Sequence, residues 1–126
     1  MLAAAGVLAG CGGNTASADS PADACAQASA QVRRILRGGG ALTPAVTARI
    51  LKIERRRAER LADIDRPDGV SEGDWKAFVA AAKLVADARE RQLAAAGSGN
   101  PAGPGAVMKA QAALHAAARR AGVAGC

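Results

Sequence analysis

Four stretches of the chain carry apolar residues at helical spacing, and each is bracketed by residues that begin or end a helix. The first opens with Ser20-Pro21-Ala22-Asp23. Ser20 can cap the free amides, Pro21 fits the first helical position, and Asp23 falls beside the positive end of the helix dipole. Cys25, Ala28, Val32 and Leu36 then recur on one side, with Ser29 at its margin. Arg33, Arg34 and Arg37 gather near the negative end, and Gly38-Gly39-Gly40 stops the helix at Leu36 or Arg37. Thr43-Pro44 starts the second in the same way, and the pattern runs from Pro44 to about Asp65. Val46, Ile50, Ile53, Leu61 and Ile64 share a side, which Arg57 interrupts. Arg66-Pro67-Asp68-Gly69 is a turn.

The third helix opens at Ser71, with Asp74 at the capping-box position and Val70 placed to staple against Trp75. Trp75, Phe78, Val79, Ala82, Val85, Ala86 and Leu93 make its apolar face, which ends near Ala96. The segment from Gly97 to Gly105 holds two prolines and four glycines and breaks the helix. The fourth helix is expected from Ala106 to Ala121. Its buried positions are Val107, Ala110 or Gln111, Leu114, Ala117 or Ala118, and Ala121, and Gly122 stops it. Four helices with short or moderate joins predict an all-α fold, a small up-down four-helix bundle over residues 21–126.

Composition changes this picture in one respect. Half of the 126 residues are hydrophobic, but many are alanine, Trp75 and Phe78 are the only aromatics, and there is no tyrosine. Few strand formers remain, and the core must be thin. A domain of this size with so little large apolar surface gains from a covalent staple.

Before the first helix the chain is of another kind. An uncharged apolar run, Met1 to Leu8, leads into Leu8-Ala9-Gly10-Cys11, and small polar residues follow from Gly12 to Ser20. This resembles the lipobox of bacterial lipoprotein precursors. The resemblance implies a signal segment over residues 1–10, a diacylglyceryl group with palmitate-type acyl chains on the thiol of Cys11, and a flexible tether over residues 11–20. It further implies a lipid-anchored protein on the extracytoplasmic face of the cell membrane. Two acyl chains anchor stably where one does so only marginally. The run departs from the pattern in one respect: a signal segment usually begins with basic residues, and the first here is Arg33. Either a basic segment lies upstream of Met1, or the tetrapeptide is a chance product of an Ala- and Gly-rich composition.

The three cysteines fit the resemblance. With Cys11 lipidated, Cys25 and Cys126 remain as a pair in an oxidising compartment. The start of the first helix and the end of the fourth lie at one end of an up-down bundle, so a Cys25–Cys126 disulfide is expected. The helix opening Ser71, Glu72, Asp74, Trp75, the late Ala-rich helix and terminal Cys126 also resemble small exported helical proteins of high-GC Gram-positive bacteria. That resemblance implies location and fold more than activity.

Candidate chemistry is sparse. His115 is the single histidine, so no imidazole cluster can bind a transition metal, and a surface position on the fourth helix explains it. Asp63, Asp65, Asp68, Glu72 and Asp74 suit helix caps, a turn and solvation better than a cation site. No phosphate-binding loop, dinucleotide fingerprint or nucleophile elbow occurs. A non-enzymatic protein with no cofactor is expected. The formal charge is +6. Arg49, Lys52, Arg55, Arg56 and Arg60 lie on the polar side of the second helix, where Arg55 can also meet Glu59 four residues on. They are candidate contacts for anionic lipid or cell-wall polymer. The rival reading is a cytoplasmic protein that binds nucleic acid through Arg55-Arg56-Arg57. It lacks a helix-turn-helix spacing and aromatics for base stacking.

Overall fold

A computed structural model describes residues 20–40, 42–99 and 105–126. The signal-like segment, Cys11 and most of the expected tether lie outside these residues. Among the described residues the chain forms four helices and no strand: α1 (Pro21–Arg37), α2 (Pro44–Asp63), α3 (Glu72–Gly97) and α4 (Gly105–Ala121). The fold is an all-α bundle in which consecutive helices pack on one another. α3 packs extensively on α2 and on α4, and α1 packs on α2 more lightly.

The starts are those the sequence specifies. Ser20, Thr43 and Ser71 each accept a hydrogen bond from the third backbone amide of the following helix, at 3.4, 3.2 and 3.1 Å. Pro21 and Pro44 occupy the first turn, where a missing N–H costs nothing. α2 ends two residues earlier than expected, at Asp63. Ile64 is already extended, with ψ of 135°, which turns its side chain back against the core cluster. α4 ends in a Schellman turn: Gly122 takes φ of 72°, and the Val123 amide donates to the Ala118 carbonyl at 2.9 Å. Val123 folds back against the same cluster.

The core lies toward one end of the bundle. Ala24 and Cys25 from the start of α1 meet Leu61 from the end of α2, Trp75, Phe78, Ala82 and Val85 from α3, and Leu114, Ala117, Ala118 and Ala121 from α4. Trp75 and Phe78 stack at a tilt, 5.5 Å between centroids. Val70 packs against the same cluster, as the staple requires. The covalent staple is here too: Cys25 and Cys126 form a disulfide with Cα atoms 5.1 Å apart, 101 residues apart in sequence. Beside it Ser29 Oγ donates to the Gly125 carbonyl at 3.3 Å.

Two positions of the expected buried stripe of α1 differ. Leu36 is 49 % exposed and Val32 only half-buried, whereas Ala24 is fully buried. α1 packs chiefly on α2, and Gln31 and Ile35 line the groove between the two helices. Of the paired alternatives on α4, Gln111 is exposed, Ala110 half-buried, and Ala117 and Ala118 are both buried.

Candidate anion-binding surface

The polar side of α2 divides into three directions. Arg49, Lys52 and Arg56 stand at intervals of three and four residues, so they share one face, and that face borders α1. α1 contributes Gln31, Arg34 and Ile35, again at helical spacing, and Ile53 of α2 completes the lining. The two helices enclose a groove of about 470 Å³. A smaller recess of about 210 Å³ continues it toward the disulfide end. The recess shares Gln31, Ile53 and Arg56 with the groove and adds Gln27, Arg57 and Arg60. No carboxylate lines either space. Among the described residues Arg34, Arg49, Lys52 and Arg56 have no acidic partner. Arg60 donates from Nη1 to Gln27 Oε1 at 2.8 Å, which ties the recess to α1.

Arg55 points elsewhere. It crosses to α3 and forms an ion pair with Glu90, not with Glu59. Its neighbours are Ala58, Glu59, Val79, Lys83 and Asp87 on a second, mixed-charge groove between α2 and α3. Of the five basic residues expected to act together, Arg49, Lys52 and Arg56 line the larger groove, Arg60 the recess, and Arg55 neither. Arg34 joins them from α1, although its sequence position suggested only a role at the helix C-terminus. The clue was topological: antiparallel neighbours bring the end of α1 beside the start of α2.

The third direction is inward. Glu54 is 2 % exposed and Arg89 6 %. They form a two-bond pair, Nε to Oε1 and Nη2 to Oε2, both 3.0 Å. Arg89 Nη1 also reaches Gln92 Oε1 at 3.2 Å. Arg57 stands within electrostatic range of both, and its Nε is buried without a hydrogen-bond partner. Burial lowers the Arg57 guanidinium below its ordinary value; attraction to Glu54 opposes that, and repulsion from Arg89 adds to it. Sequence reading missed the buried pair, though a signal existed. Glu54 lies four residues after Ile50 and seven before Leu61, and Arg89 lies four after Val85 and four before Leu93. Both charges sit on apolar stripes.

The remaining candidates are dispersed. His115 is exposed on α4. Among the described residues no group of three or more His, Cys, Asp or Glu side chains is placed to hold a metal ion. Among them, too, no helix is long and apolar enough to cross a membrane. Chemically, the α1–α2 groove offers guanidinium forks and one ammonium around two isoleucines, with no nucleophile or general base beside them. This arrangement can hold an anion. Comparison with protein-family models, curated proteins and solved structures finds no match to this chain.

Proposed function

We propose that this protein is a non-enzymatic helical module of the cell envelope, anchored to the extracytoplasmic face of a membrane by lipid on Cys11, and acting through surface contacts. The observation that carries the reading is the Cys25–Cys126 disulfide. Such bonds persist in oxidising compartments and are rare in the cytosol. The bond uses two of the three thiols and leaves Cys11, in its lipobox-like setting, as the one to be modified. The basic groove supplies a surface for anionic envelope components, whether lipid or wall polymer.

Metabolic labelling with a lipid precursor tests the anchor. Expressed with its full upstream reading frame, the wild type incorporates label and the Cys11→Ser variant does not. Absence of label from both removes the anchor from the proposal.

A second reading draws on the same groove. A cytoplasmic protein with these cations would bind nucleic acid, and its association with a DNA duplex would weaken steeply with salt. No duplex binding at low salt eliminates that reading.

A further inference from the structure

We infer that the groove between α1 and α2 is a binding trough for a linear phosphodiester polymer, a chain of phosphates joined by short carbon linkers. The inference deepens the surface-contact part of the proposed function and rests on it, but the trough itself does not depend on lipid at Cys11.

Three observations carry it. The first is shape. The groove and its recess share Gln31, Ile53 and Arg56, so they are one continuous depression along α2. From Arg49 to Arg60 it follows eleven residues of helix, roughly 16 Å at 1.5 Å per residue. A depression of that form accepts a chain; a bilayer surface is flat and would meet the rims alone.

The second is the charge pattern. Arg49, Lys52 and Arg56 place about one cation on each turn of α2, Arg34 faces them from α1, and the Arg57 side chain lines the recess. A periodic row of cations is matched by a ligand whose negative charges recur. Guanidinium forks suit the two unbridged oxygens of each phosphodiester.

The third is what lies between the charges. Ile35 and Ile53 line the same groove and can meet the carbon linkers between phosphates. The chain's aromatics, Trp75 and Phe78, are both buried in the core on α3, so the trough has no platform on which a nucleobase could stack. Phosphate backbone is therefore what it can read.

The test uses the full 126-residue chain with its disulfide intact, and poly(glycerol phosphate) as the probe, with a DNA duplex, vesicles containing phosphatidylglycerol, and poly-glutamate in parallel. Four phosphate contacts predict that affinity for the probe falls about fifty-fold between 50 and 200 mM salt. Arg34→Gln, Lys52→Gln and Arg56→Gln each weaken binding and each flatten that salt dependence. Arg119→Gln with Arg120→Gln, at the exposed end of α4, lowers net charge and leaves affinity within about two-fold. All these side chains are exposed, and thermal melts confirm that the variants fold. Equal weakening by the α4 variant overturns the trough, because net charge would then be sufficient. Vesicles, duplex or poly-glutamate bound as tightly as the probe, with the same dependence on Arg34, Lys52 and Arg56, overturn the assignment of ligand class. These results hold or fail independently of lipid labelling at Cys11.

Discussion

The buried charges show most directly how single residues set the energetics. Glu54 stands between two cations, Arg89 in a two-bond pair and Arg57 nearby. Removing the acid therefore strands two positive charges in the interior, whereas removing Arg89 leaves Glu54 still balanced by Arg57. Glu54→Gln is expected to cost about 3–5 kcal/mol in urea denaturation, and Arg89→Met less. The triple variant Glu54→Leu, Arg57→Met, Arg89→Met should recover most of that loss, because apolar residues of similar volume can replace a buried charge cluster. If Arg89→Met proves the more damaging single change, the balance of charges described here is wrong.

Arg57 by itself is a cost to the fold. Its Nε lacks a partner and burial disfavours its charge, with only Glu54 in compensation. Arg57→Met is expected to raise stability by about 1 kcal/mol while weakening polyanion binding, the trade-off often found at binding sites. The pH dependence follows from the direction of the shift. A base lowered in the folded state makes stability rise with pH only between its folded and unfolded values, and for arginine that window is strongly alkaline. Below it the guanidinium is charged in both states and the burial cost is constant. The gain from Arg57→Met should therefore be the same at pH 6 and pH 8 by urea titration; a gain that changes across this range would mean that another group titrates with it.

At the scale of elements, what is local was legible and what depends on pairing was not. Ser20-Pro21, Thr43-Pro44 and Ser71 define three helix starts within a few residues each, and all three side chains cap as expected. Gly122 closes α4 for an equally local reason, a positive φ that other residues resist. The orientation of α1 is different. Its stripe of Cys25, Ala28, Val32 and Leu36 is an adequate buried face on its own terms, but α1 packs chiefly on one neighbour, α2. The structure leaves Leu36 in solvent and turns Gln31 and Ile35 to the neighbour. The basic trough was half legible for the same reason: the α2 cations could be read from one helix, whereas Arg34 and the departure of Arg55 to Glu90 required knowing which helices face each other. Glu54 and Arg89 were hidden in the same manner, their pairing spanning 35 residues of sequence.

The light packing of α1 makes the disulfide the element's main restraint. Its loss through Cys25→Ser with Cys126→Ser should cost about 2–5 kcal/mol. The effect should be uneven. In native-state hydrogen exchange, amides of α1 lose protection first, and those of α3, which packs on two neighbours, keep it longest. Uniform loss of protection across α1 and α3 would show instead that the four helices unfold as one unit. Because α1 forms one wall of the trough, the same variant should also bind poly(glycerol phosphate) more weakly than the disulfide-bonded protein.

For the molecule as a whole, the core is off-centre. The large apolar side chains collect toward the end that holds the disulfide, with Trp75, Phe78 and Leu61 beside Cys25. Arg34, Arg49, Lys52 and Arg56 line the groove between α1 and α2. The basic excess behind the net charge of +6 is spread over α1, α2 and α4, while acids such as Glu90, Glu72 and Glu54 are engaged with other basic residues. An alanine-rich composition serves this arrangement, because Ala81, Ala82, Ala88, Ala117 and Ala118 let α3 and α4 pack closely with few bulky side chains.

The bond between Cys25 and Cys126 also closes residues 25–126 into a covalent ring. A ring survives one cut. A protease that severs the join between α3 and α4 would open the circle and release no fragment, since both pieces stay tied through α1 and Cys126. Limited digestion should therefore give a nicked species that migrates as one chain without reductant and as two with it. If the nicked ring still binds poly(glycerol phosphate), the fold tolerates a break at that join.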